Sequence, residues 1–217
     1  MSDSNAISGR SSRVLGFALL INFAVVCVVK LMQGVPQELL WLSHVGLLLA
    51  GLGFALGRTL PVAVALVLIL LPHSLWLIDA GCVLLLGFSP FGVANYLARA
   101  DLLTWVGTIH HFYLLPLLLL RSPRGFTSFP ETWLGAVSVY LTLSVISRVV
   151  SAPFENINYV HAAFPDVAWG LLRASDGLSG SAYMLGLNAF VAFVVLLPAA
   201  GWLVYRRRPP IGGPGIR

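Results

Sequence analysis

Two adjacent histidines, His110 and His111, sit near the middle of residues 101–120, a segment with the length and apolarity of a membrane-spanning helix. An ionisable side chain inside a bilayer is costly unless it faces protein or a water-filled cavity, and by default it marks a functional site. Three further histidines, His44, His73 and His161, lie in or beside other apolar runs. Serines and asparagines accompany them: Ser43 beside His44, Ser74 beside His73, and Asn156 and Asn158 before His161.

Several chemistries use such residues. Acyl chemistry needs a Ser or Cys within hydrogen-bond reach of a His base, together with donors for the oxyanion. Ser43, Ser74 and Cys82 are the candidate nucleophiles and His111 the candidate base; Asn156, Asn158 or a backbone amide would supply donors. A metal site would draw on His44, His73, His110, His111, His161 and Asp79, but no pair has HxxH or HxxxH spacing, so no metal is assigned. A transport path is disfavoured because the two halves show no internal repeat. Gly177-Leu178-Ser179-Gly180 reads GxSG, as in rhomboid-type serine proteases, but no histidine follows His161, so that mechanism lacks its base.

The elements that must position these residues follow from composition. The chain has 217 residues, 58% hydrophobic and 10% charged, and a mean hydropathy of +0.90. Soluble domains carry about 25% charged residues. An all-α, polytopic membrane bundle is therefore expected. The net charge of +5 does not point to nucleic acid, because the basic residues flank apolar runs as topology signals do. Cys27 and Cys82 give neither a disulfide framework nor zinc spacing. Residues 1–13 are expected to be a disordered cytoplasmic N-terminus, 14–205 the membrane domain and 206–217 a basic cytoplasmic tail. The first apolar run lacks a small-residue cleavage site and reads as a helix or signal anchor.

About 20 apolar residues cross a bilayer core. Six segments qualify: 14–32, 39–56, 60–78, 102–120, 133–150 and 183–205. Residues 80–97, with Gly87, Ser89-Pro90, Gly92 and Asn95, are expected to form a short interfacial or re-entrant segment. With six spans, nine basic residues fall on the side of the termini and four on the other. The positive-inside rule then places both termini in the cytoplasm. All five histidines fall in the outer half, where a cavity open to the outer leaflet is expected.

Helix faces refine the choice. Ser43, Gly46, Ala50, Gly53 and Gly57 form a small-residue stripe of the kind that packs membrane helices closely. Thr104, Thr108 and His111 share one stripe, which gives His111 a more polar face than His110. Arg148 and Glu155 are expected to form a helix-end ion pair.

The order of short motifs resembles the YwaF-like family of bacterial integral membrane proteins and their eukaryotic transmembrane acyltransferase relatives. More distantly it is similar to the androgen-induced-gene-type fatty-acid-ester hydrolases. The matching pieces are Leu71-Pro72-His73-Ser74, Gly87-Phe88-Ser89-Pro90, Ile109-His110-His111 with Pro116, and Asn156-Ile157-Asn158-Tyr159 with Pro165, then Gly180 and Tyr183. Together they cover roughly residues 38–190. The resemblance implies a six-helix bundle with intramembrane acyl transfer or lipid-ester hydrolysis. In the hydrolase branch a Thr near the start of helix 2 pairs with a His five residues before a Pro. Ser43 and His111 hold those places here. In the acyltransferase branch the nucleophile is a Cys on helix 3, where this chain has His73-Ser74, with Cys82 eight residues on.

The sequence thus favours a membrane enzyme of lipid acyl chemistry. His111 would be the base, Ser43 the first-choice nucleophile and Ser74 the second. His110, His73, His44, Asn156 and Asn158 would be polar support. Membrane lipid is the expected partner, no cofactor is expected, and the location is the cell membrane, of the bacterial inner-membrane type. A non-enzymatic scaffold or lipid-binding bundle and a His-ligated metal site are the alternatives.

Overall fold

The computed structural model describes residues 9–121, 128–163 and 175–205. The basic residues Arg124, Arg173, Arg206, Arg207, Arg208 and Arg217, the motif residue Pro165, the tail and most of the expected N-terminal segment lie outside them. The described chain is helical. The helices are α1 (Arg10–Met32), α2 (Leu42–Leu56), α3 (Thr59–Leu86), α4 (Leu102–Thr108), α5 (His110–Arg121) and α6 (Phe129–Val150). They are followed by α7 (Gly180–Phe190), a π-helical step (Val191–Leu196) and α8 (Leu197–Tyr205).

Five helical stretches are long and apolar enough to cross a membrane: Arg10–Met32, Thr59–Leu86, Leu102–Arg121, Phe129–Val150 and Gly180–Tyr205. The chain is therefore an integral membrane protein by the character of its helices. The remaining expected span, the second (39–56), is the shorter α2, of 15 residues, preceded by a 3-10 turn, Pro36–Leu40.

α3 is the central pillar. Its residues from Val62 to Ile69 are all buried, and α2, α5, α6 and α8 pack around it. The small-residue stripe of α2 does face α3. A Cβ on Gly46 would stand 2.6 Å from Ile69, and one on Gly53 2.5 Å from Val62. The opposite face of α2 meets α1 as closely, since a Cβ on Gly51 would lie 2.9 Å from Leu20 and one on Gly16 would collide with the Ala55 backbone. Missing side chains thus let three backbones approach, which is how helices associate where lipid and side chain are equally apolar.

Residues 80–97 depart from expectation. Residues 80–86 simply continue α3, which ends at Gly87 in the left-handed conformation (φ 75°). The loop beyond folds back onto α3 because the fully buried Asp79 carboxylate accepts from Ser89 Oγ (2.7 Å), Phe91 N (2.8 Å) and Ala94 N (2.7 Å). A 3-10 turn, Asn95–Arg99, then leads to α4. The longer α3 also moves His73 to the middle of that helix, 14 residues from its start, rather than near its outer end.

Candidate functional site: a buried histidine quartet

The fourth expected span is broken at Ile109, between α4 and α5. The break has a local cause. The His111 ring Nδ1 lies 3.0 Å from the Thr108 carbonyl, the acceptor that Phe112 N would use in a continuous helix. Phe112 N donates to Ile109 O instead (3.2 Å). The tightened step puts both His110 and His111 at the head of α5, facing protein.

Four of the five histidines meet there. The His110 and His111 ring centres are 4.2 Å apart. His44, from the first turn of α2, is 5.1 Å from His110 and 6.2 Å from His111. His73, from mid-α3, stacks on His111 at 4.8 Å and 12° and stands 6.5 Å from His110. All four are buried, from fully buried His110 to 9% exposed His111. Trp76 walls the cluster, 4.5 Å from the His111 ring, and its indole N–H donates to Tyr96 (3.1 Å). Lys30 pairs with Glu38 at 2.6 Å, and Gln33 donates to Thr104.

The nitrogens of these rings are unequally provided for. His44 Nδ1–H donates to the Glu38 carbonyl (2.7 Å) and His111 Nδ1–H to that of Thr108 (3.0 Å). A carbonyl only accepts, so each ring keeps its lone pair on Nε2. His73 Nε2 and both nitrogens of His110 are buried without a partner. Among the described residues only one other buried side-chain polar atom, Tyr140 Oη, is left so. Leaving a buried polar group unmatched costs roughly 1–3 kcal/mol, so the quartet is expensive as it stands.

The expected hydroxyl partners do not reach it. Ser74 Oγ donates to Leu70 O, one turn back on its own helix (2.6 Å). Ser43 is half-buried beside His44, and among the described residues no hydrogen bond joins it to a histidine. Cys82 lies half-buried about two and a half turns beyond His73 on α3. Asp79 is spent on its loop and is not part of the quartet.

Asn156 and Asn158 belong to a separate knot. Asn158 accepts from Leu42 N (3.1 Å), the first residue of α2, and donates to Leu40 O (2.8 Å) and Ser147 Oγ (3.2 Å). It therefore fixes the start of α2, and with it His44. Asn156 accepts from His161 N and Ala162 N and donates to Ala162 O. Both asparagines, and Tyr159, have positive φ (44°, 53° and 58°), conformations that Asn tolerates better than most residues. Arg148 does not pair with Glu155. It donates to Val160 O (3.0 Å) and His161 Nδ1 (2.6 Å), while Glu155 accepts from Gln37 and Ala152 N. An open concavity of about 480 Å³ is lined by Arg148, Gly180, Ser181 and Met184 and by none of the quartet.

Among the described residues no group of three or more His, Cys, Asp or Glu side chains is placed to hold a metal ion. The arrangement offers lone-pair nitrogens for proton transfer or ligation, at the junction of three helices. The chain matches no protein-family model, no curated protein and no solved structure.

Proposed function

We propose that the chain is a six-span membrane protein of the cell membrane whose reaction centre is the histidine quartet, with His111 as general base in hydrolysis or transfer of a lipid acyl ester. The observation that carries this reading is the fixing of His111: its Nδ1–H is held by the Thr108 carbonyl, and its ring is packed among three other imidazoles. A base must be held in one tautomer and one orientation, and this bond does both. The resemblance of the motif order to the YwaF-like family supports the same chemistry. Of the two serines, Ser43 remains the favoured nucleophile, because the Ser74 hydroxyl is committed to Leu70.

The six-span topology counts α2 as a span. Its 15 residues rise about 22 Å, and the turn before it adds to that reach. Cytoplasmic termini follow from the positive-inside count; protease protection of a C-terminal tag in sealed inside-out vesicles would contradict them.

The test of function uses the full chain in lipid nanodiscs with ester lipids and a fluorophosphonate lipid probe. His111→Ala is expected to abolish ester turnover, and Ser43→Ala to abolish probe labelling. Undiminished turnover in a folded His111→Ala protein would contradict the proposal.

A further inference from the structure

We propose that the concavity beside Arg148 binds a phosphate group, supplied by the headgroup of a membrane phospholipid. The inference stands apart from the acyl reading, because no residue of the quartet lines this concavity.

Its place in the fold suits a headgroup. Arg148 lies two residues before the end of α6, and Gly180 opens the last apolar stretch, Gly180–Tyr205. Both stretches are long and apolar enough to cross a membrane, so the concavity sits where two spans end. Span ends meet the polar headgroup layer that flanks the hydrocarbon core. Basic pockets between membrane helices bind lipid headgroups in that layer. The volume of about 480 Å³ falls within the range of small-molecule sites, about 300–1,000 Å³.

Charge gives the second reason. The Arg148 side chain is half-buried and meets no carboxylate. Among the described residues the one ion pair is Lys30–Glu38, and Glu155 is taken by Gln37 and Ala152 N. A cation drawn partly out of water without a counter-ion is unfavourable, and at a membrane span it marks a ligand contact by default. Both acceptors of Arg148 are neutral and both lie on Nη1: Val160 O (3.0 Å) and His161 Nδ1 (2.6 Å). These bonds fix the guanidinium and leave Nη2 turned toward Gly180. A Cβ on Gly180 would stand 2.7 Å from Nη2, so the missing side chain keeps that edge of the guanidinium open.

The remaining lining matches the ligand. The first N–H groups of a helix have no partner within it. Ser179 Oγ accepts that of Ala182, while those of Gly180 and Ser181, both lining residues, are not so served. With Nη2 and the Ser181 hydroxyl they form a set rich in donors beside a positive charge. A phosphate carries several acceptor oxygens and a negative charge, and arginine and helix N–H groups recognise it by charge-assisted hydrogen bonds. Met184 adds an apolar wall for the glycerol end of the lipid.

The experiment uses the full chain in mild detergent, with native mass spectrometry of retained lipid. Wild type should retain phosphatidylglycerol in preference to diacylglycerol, which has the same glycerol and acyl chains without the phosphate. Arg148→Gln should bind phosphatidylglycerol about tenfold or more weakly. Arg148 also holds Val160 and His161, so Gly180→Ala decides if that variant does not fold. It adds one methyl group beside Nη2, removes no hydrogen bond and favours a helix. It should also weaken retention, with helix content unchanged by circular dichroism. Excess inorganic phosphate separates the sources. Lipid that stays bound supports the headgroup. Phosphate that binds by equilibrium dialysis and displaces the lipid keeps the site and makes the free anion its ligand. Equal retention of phosphatidylglycerol and diacylglycerol without phosphate binding, or equal retention by wild type and Gly180→Ala, overturns the proposal.

Discussion

His161 and His110 are the same residue in opposite circumstances. His161, in the asparagine knot, is fully served: Arg148 donates to Nδ1, and Nε2–H donates to Ser151 O (3.0 Å). His110, in the quartet, is completely buried and neither nitrogen has a partner. A saturated histidine is accounted for by the fold it holds. An unsaturated one costs stability and needs another reason to be there. The difference separates two polar regions that a sequence merges into one outer-half cluster: a knot that fixes helices and a quartet available for chemistry.

Variants should split along the same line. Asn158→Ala should have the largest effect on folding. It removes three hydrogen bonds joining the start of α2, the outer loop and α6, two of them to backbone groups. The loss should be about 2–4 kcal/mol, read as a lower thermal midpoint. Asp79→Ala comes next, because Phe91 N and Ala94 N lose their shared acceptor. About 2–3 kcal/mol should be lost, with greater protease sensitivity of the loop that follows α3. His110→Phe should do the reverse. It replaces two unmatched nitrogens with apolar atoms of similar shape, so stability should hold or rise by about 1 kcal/mol. A clear drop would place His110 with the knot.

The smallest effect concerns pH. Asp101 caps α4, accepting from Thr104 N (2.8 Å). The Thr104 hydroxyl and then its backbone N–H hold the Asp101 carboxyl below its usual range. A folded-state pKa below the unfolded one gives stability that is present above the unfolded pKa and is lost as pH falls through the folded one. Wild type should lose a little stability across that acid window, and Asp101→Asn should remove this part of the acid dependence while keeping the cap. An unchanged acid limb in the variant would show that the cap carries no linkage.

Much of this was legible in the residues. Apolar length marks the helices, and the Gly46–Ala50–Gly53 stripe marks the face of α2 that meets α3. The importance of His110 and His111 follows from their place in an apolar run. The meeting of His44 and His73 with them was not legible, because spacing within a helix says nothing of which helices become neighbours. The stripe of polar residues favoured His111 over His110, yet His110 is the more deeply buried and the less bonded. Serines beside histidines in sequence point elsewhere on a helix, as Ser74 does toward Leu70, since adjacent residues on a helix do not share a face. The end of α3 was misjudged because Gly87, Ser89-Pro90, Gly92 and Asn95 set all of residues 80–97 apart as one short segment, whereas the break falls only at Gly87, where the backbone turns left-handed.

The claim that the quartet, and not the knot, is the working centre is tested most directly by ester turnover of the full chain in lipid nanodiscs. The account predicts that turnover is lost in His111→Ala and kept in His161→Gln. Turnover that survives in a folded His111→Ala protein, or is lost in His161→Gln, would contradict it.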